Sequence, residues 1–158
     1  MLSLRFNTEI NRLKELGWTC EWHDKPSGLP ENIRNRYPWL PEDYLEFVES
    51  LDECFNKSET RWILSPSDFD IREHHAFTHD EWERLSLEAC EGKAKLVASV
   101  RRFWDEHIPI CFDVSDGYSF FALRVIDRSG TVVAGREPEF EEVETVAASF
   151  TTFLRELS

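Results

Sequence analysis

The sequence predicts an α+β fold in one domain, residues 1–158: a twisted, mainly antiparallel sheet packed by helices from the N-terminal, middle and C-terminal parts of the chain. Three observations carry this expectation. Apolar residues recur at helical spacing near both ends and between about 80 and 105. From Ile108 the period becomes strand-like, and Ser115-Asp116-Gly117 and Asp127-Arg128-Ser129-Gly130 divide that block as turns. The 158 residues are 41% hydrophobic and include six Trp and twelve Phe, enough large side chains to fill a core without disulfides.

Phe6, Ile10, Leu13 and Leu16 mark a first helix, with Gly17 in the place of its C-terminal cap. Pro26, Gly28, Pro30 and Pro38 make residues 19–38 a loop, holding at most a short helix over 31–36. A second helix starts at Pro41 and turns Tyr44, Phe47, Val48 and Leu51 inward. Arg61-Trp62-Ile63-Leu64 reads as a strand stopped by Ser65-Pro66, and Asp68 caps the following turn. Two apolar stripes, Trp82/Leu85/Ala89 and Leu96/Val97/Val100/Trp104, predict helices separated at Gly92.

The strand block should form a meander over 108–135 that joins the strand near 61–64. Its middle segment, Tyr118 to Val125, is apolar on both faces, as a strand covered on both sides must be. Val143, Val146, Ala147, Phe150, Phe153, Leu154 and Leu157 then predict a closing helix.

The formal charge of −13 disfavours nucleic acid and anionic membranes, both of which repel a polyanion, and favours a basic partner. The excess is clustered. Residues 37–60 hold seven acids against one base, 61–92 eight against three, and 137–158 six against one. No apolar run is long enough to span a bilayer, and the first residues lack a secretion signal, so a cytoplasmic location is expected. Cys20, Cys54, Cys90 and Cys111 include no closely spaced pair of the metal-clipping or thiol-exchange kind, and read as reduced packing residues.

Three blocks together resemble the SUKH superfamily (Smi/Knr family). They are Leu40-Pro41-Glu42-Asp43-Tyr44-Leu45-Glu46-Phe47 with Trp62-Ile63-Leu64-Ser65-Pro66; Ile110-Cys111-Phe112-Asp113 through Asp116-Gly117-Tyr118 to Leu123 and Gly130-Thr131-Val132; and Val146 to Leu154. One departure stands out: Glu53-Cys54-Phe55-Asn56-Lys57-Ser58 replaces an Asn-Gly-Gly-like turn after the second helix. The resemblance implies a SUKH-like α+β fold and binding without catalysis or cofactor. It also implies an immunity protein that neutralises a cognate protein toxin, often a nuclease, whose basic surface would attract an acidic inhibitor. The alternative within the same fold is a regulatory or scaffolding module. Eukaryotic relatives of that kind tend to carry long extensions, and here the expected helices run from near the start to near Ser158.

Other chemistry is weaker. His75 and His79 stand four apart beside His74, with Glu73, Asp80 or Glu83 as further ligands for a metal-dependent enzyme, but Thr78-His79-Asp80 looks like a helix start that would split the histidines from one face. Surface histidines, and no metal, are the expectation. Cys20, His23 and Asp24 lie in a loop without the elbow that nucleophilic catalysis needs. Asp113 and Asp116 flank a hairpin and are explained by turn chemistry, and His107 is expected to be cationic at a helix C-terminus. The partner-binding candidates are therefore acids and aromatics: Glu42, Asp43, Glu46, Asp80, Glu81, Glu83, Glu137, Glu139, Glu141, Glu142, Trp22 and Trp39. Glu137, Glu139, Glu141 and Glu142 are also expected to complement the positive end of the closing helix. Trp22 and Trp39 crowd a Pro-rich stretch with Trp18 and Tyr37.

Overall fold

A computed structural model describes residues 4–73 and 77–158. Seven strands form one antiparallel sheet in the order of the chain: β1 (Thr19–Trp22), β2 (Leu51–Phe55), β3 (Arg61–Ile63), β4 (His107–Asp113), β5 (Ser119–Arg124), β6 (Val132–Arg136) and β7 (Glu144–Ala147). Six α-helices pack around it: α1 (Asn7–Glu15), α2 (Glu31–Arg36), α3 (Glu42–Val48), α4 (Glu81–Ala89), α5 (Ala94–Glu106) and α6 (Phe150–Glu156). This is the α+β architecture expected, with three strands that the sequence pattern did not mark: β1, β2 and β7.

Adjacent residues of β5 show why both faces had to be apolar. Phe120 packs on Trp104 of α5, with ring centroids 4.9 Å apart, whereas Phe121 packs on Phe153 of α6 at 5.0 Å. Side chains alternate across a strand, so α5 and α6 cover opposite faces. On the α6 side, Phe47 of α3 meets Phe6 and Phe150 edge-on. On the other side, fully buried Trp82 of α4 stacks between Tyr118 at 4.6 Å and Phe140 at 5.5 Å.

Several boundaries differ from the sequence reading. Residues 143–147 do not belong to the closing helix. Glu144–Ala147 instead adds an edge strand to β6, and α6 starts after Ser149, whose hydroxyl accepts from the Thr152 N–H at 3.1 Å. The acidic tract thus precedes a strand and is not at the positive end of a helix. Leu51 is buried, but on β2, because α3 ends at Val48. Leu16 and Leu96 are exposed, and so is Ala89.

Pro109 lies within the central strand β4. A proline cannot donate to a sheet ladder, and the pairing of β4 with β5 shifts register between Pro109 and Cys111 to accommodate it. The Ile110 carbonyl then accepts from Leu64 N–H at 2.9 Å on the far side. No helix of the described residues is long and apolar enough to cross a membrane.

Candidate functional site

At the β1 end of the sheet, the face opposite α1 and α3 is acidic at its rim and aromatic at its floor. β1 pairs with β2 so that Glu21 stands opposite Glu53, and the register then shifts so that Trp22 faces Leu51. Asp52 is the extra residue of that bulge. It allows Asp52 and Glu53 both to stay exposed while Leu51 and Cys54 on either side remain buried. Two residues beyond Glu53 on the same face, Phe55 pairs with Trp62 of β3, and the Trp62 ring leans on Phe112 at 5.9 Å and Phe77 at 5.6 Å.

The turn from β2 to β3 is the stretch where the chain departs from the expected family pattern. One asparagine holds it: Asn56 Oδ1 accepts from Thr60 N–H at 2.8 Å and Arg61 N–H at 3.0 Å, and its amide donates to Thr60 Oγ1 at 3.1 Å. Glu59 takes the left-handed conformation, φ 58°, that a glycine would otherwise occupy. The strained residue therefore carries a carboxylate onto the rim.

A cleft of ≈ 380 Å³ results, lined among others by Asp52, Glu53, Phe55, Glu59, Trp62 and Asp68. Asp52 has a histidine for company, His23 at 3.4 Å, and Asp68 caps the turn after β3 by accepting from Ser65 N–H at 2.9 Å. Glu21, Glu53 and Glu59 have no ion-pair partner among the described residues. Lys57, the one base in residues 50–60, lays its side chain beside Gly17 at the end of α1. Like charges directly opposite on a sheet repel, so Glu21 and Glu53 hold an unneutralised field over a half-buried aromatic floor.

The sequence-predicted acids fall into two groups. Asp43 accepts from its own helix at Tyr44 N–H and from Thr151 N–H and Oγ1 at 3.0 and 2.8 Å, tying α3 to the start of α6. Glu46 pairs with Arg5 at 3.0 Å, and Glu81 is buried and bonded to Arg84. Glu83 is buried against Arg36, and Asp80 accepts from Thr78 Oγ1 at 2.6 Å beside α4. Glu141 accepts from Ser86 Oγ at 2.8 Å and Trp104 Nε1 at 2.9 Å. Of these acids, only Glu42, Glu137, Glu139 and Glu142 are exposed. Trp22 is half-buried edge-on against Phe47, and Trp39 is half-buried near Gly130; Trp18 and Tyr37 belong to the core. The structure does not bring the predicted acids and aromatics into one site.

The histidines and paired acids are placed as follows. His74 and His75 lie outside the described residues. His79 sits in the turn before α4, buried on Phe69 with ring centroids 5.2 Å apart, and burial lowers its pKa despite Asp80 nearby. His107 closes α5 as its C-cap and opens β4, but it is buried there rather than set out as a free cation. Burial lowers its pKa, its Nδ1 donates to the Phe103 carbonyl at 2.8 Å, and Nε2 faces the Arg124 guanidinium at 3.5 Å. His23 is exposed on the cleft side, away from any nucleophile arrangement with buried Cys20. For Asp113, burial raises the pKa, but Ser115 and Arg61, whose Nε is 2.6 Å away, outweigh it and hold the carboxyl below its usual range. Its neighbour across the turn, Asp116, is exposed.

Residues 31–156 match the model of the SMI1 / KNR4 family (SUKH-1). The chain belongs to this family. Comparison with curated proteins and with solved structures finds no match. The family match takes in α2 through α6, including Glu53, Phe55, Glu59 and Trp62 of the cleft, while Glu21 on β1 lies before it. This SUKH-1 chain hid its cleft from sequence reasoning because strand register sets Glu53 opposite Glu21 and the β2–β3 turn brings Glu59 to the same cleft as Glu53. The one available signal was the alternation of Thr19-Cys20-Glu21-Trp22.

Proposed function

We propose that this SUKH-1 protein is a non-catalytic immunity protein that neutralises a cognate protein toxin by direct binding, with the β2–β3 cleft as the face that receives basic side chains of the toxin. One observation supports this reading above the others: Glu53 and Glu59, without an ion-pair partner among the described residues, line a cleft whose floor is half-buried Phe55 and Trp62, in a chain of charge −13. A lysine or arginine laid across Phe55 and Trp62 gains the acidic rim and the ring faces together. A toxin that acts on nucleic acid must carry such residues to hold phosphates, and opposite fields would speed the encounter.

The test is genetic and physical together. A toxin domain encoded beside this chain's gene is expressed with and without it; survival only with the partner, and a one-to-one complex whose association rate falls with added salt, are the expected results. If no neighbouring toxin domain is suppressed and none binds, the immunity reading fails. A stable complex with a non-toxic cellular enzyme would instead identify a regulatory module of the same fold.

A further inference from the structure

We propose that Cys20 and Cys54 form a reversible intramolecular disulfide, made when a peroxide takes two electrons from the pair, which fastens edge strand β1 to β2 behind the acidic face. The two residues are directly opposite in the antiparallel β1–β2 ladder, and their Sγ atoms are 3.1 Å apart, inside the contact distance of two unbonded sulfurs. Opposed residues in such a ladder have Cα atoms about 4.5–5.5 Å apart, within the ~4.4–6.8 Å that a disulfide spans. Both strands are already in place, so bond formation requires side-chain movement alone.

The other two cysteines lack this arrangement. Cys90 Sγ lies 3.7 Å from the Leu87 carbonyl, and Cys111 Sγ lies 4.0 Å from the Phe112 carbonyl. Cys111 is fully buried, and burial pushes its thiol pKa up. For Cys20, the hydrogen bond from Cys54 lowers the pKa, burial opposes it, and Lys14 on α1 adds to the lowering. Cys20 is thus the thiol more easily made nucleophilic. Both sulfurs are shielded in the closed fold, Cys20 at 4% and Cys54 at 1% exposure, but β1 is a four-residue edge strand, an element of the kind that opens locally.

The chemistry balances with a peroxide as oxidant. Cys20 thiolate attacks one peroxide oxygen; the S–O bond forms, the O–O bond breaks, and hydroxide leaves to be protonated as water. Cys54 sulfur then attacks the Cys20 sulfenic acid, forming the S–S bond and releasing the second water. Two thiols are oxidised, one peroxide is reduced, and a dithiol reverses the bond by exchange.

The experiment uses the full chain, folded, with hydrogen peroxide as the probe. Thiols are counted after denaturation, and the protein is digested with trypsin without reduction. The four thiols should fall to two, with a mass loss of two hydrogens and one linked pair of peptides, 15–34 with 37–57; dithiothreitol should restore four. The same treatment of Cys90→Ser should take three thiols to one, and Cys20→Ser should give no intramolecular link. Four surviving thiols, oxygen added to Cys20 or Cys54 without a link, or a link through Cys90 or Cys111 would each overturn the proposal. The wild-type peptide map decides the matter even if Cys20→Ser does not fold, and none of these results depends on a toxin.

Discussion

Arg36 of α2 and Glu83 of α4 are joined by two parallel hydrogen bonds, Nη1 to Oε1 at 3.0 Å and Nη2 to Oε2 at 2.8 Å, and Arg36 Nε also reaches Asp105 of α5 at 2.9 Å. One guanidinium therefore fastens three helices. Glu83 is 10% exposed and Arg36 24%, so the pair is only partly screened. Glu83→Ala leaves Arg36 half-buried with one exposed partner, and should cost about 2 kcal/mol, roughly 4–8 °C in Tm. Asp105→Ala, which removes only the exposed partner, should cost under about 0.5 kcal/mol. Thermal unfolding of both variants measures the difference; equal losses would show that the paired geometry contributes nothing special.

Asp43 and Glu42 are neighbours with opposite burdens. Asp43→Ala strips the hydrogen-bond acceptor from Thr151 N–H and Oγ1, and should cost about 1–2 kcal/mol, as lost helix caps do. Glu42→Ala, at an exposed position, should change stability by less than about 0.5 kcal/mol. Urea midpoints at constant slope provide the comparison, and an Asp43→Ala protein as stable as the parent would refute the cap.

Gly135 on β6 has no room for a side chain. A Cβ there would lie 2.7 Å from the Phe120 ring and 2.8 Å from the Phe140 carbonyl, a backbone atom that cannot swing away. Gly135→Ala should therefore destabilise by about 1–3 kcal/mol, against the usual gain from replacing a strand glycine. If its Tm matches or exceeds that of the parent, the packing of Phe140 over β6 is looser than the contacts indicate.

The parts of the fold that sequence reveals are those encoded locally. Asp116-Gly117 produced a turn, Pro41 precedes α3, and the doubly apolar Phe120-Phe121 pair required helices on both sides of β5. β7 escaped because Val143, Val146, Ala147, Phe150 and Phe153 are in helical phase, and only the Ser149 cap interrupts them. β1 escaped because four alternating residues between Gly17 and Pro26 are too few to establish a period. The cleft escaped for a different reason: Glu53 is set opposite Glu21 by register and a bulge, and Glu59 reaches the cleft through the β2–β3 turn, and no one segment spells out that combination. For the acids that were legible, clustering in sequence did not translate into a shared surface, since Glu81, Glu83 and Glu141 are hydrogen-bonded within the packed structure.

Acidification should weaken the fold through its buried histidines before its carboxylates respond. Burial holds His79 and His107 below the ordinary histidine value, the Arg124 guanidinium working in the same direction on His107 and the Asp80 carboxylate against it on His79. The unfolded chain takes up these protons near pH ~6.5 and the folded chain only lower, so their contribution is complete above that value and is lost as pH falls through it towards the folded pKa values. Asp113 is also depressed, but its contribution is lost only below the ordinary carboxylate range near pH ~4. Urea unfolding between pH 8 and 5 should show stability falling across the interval, and the fall should shrink in His107→Gln. A flat profile would mean that neither ring is kept neutral by the fold.

The proposed toxin-binding face separates two rates. Glu53→Lys and Glu59→Lys reverse charge on the rim without disturbing a hydrogen bond, since neither carboxylate has an ion-pair partner among the described residues. Each should slow association by about 3–10-fold at low salt and flatten its salt dependence, with little change in dissociation. Phe55→Ala removes floor, not charge, and should speed dissociation by about 10-fold or more while association is nearly unchanged. Glu142→Lys, exposed but bordering a different surface beside β7, serves as the control and should alter both rates by less than about 2-fold. Surface plasmon resonance against the cognate toxin domain at two salt concentrations distinguishes the cases. If Glu142→Lys slows association as much as Glu53→Lys and Phe55→Ala leaves dissociation alone, the acidic charge acts as a diffuse field and the β2–β3 cleft is not the contact.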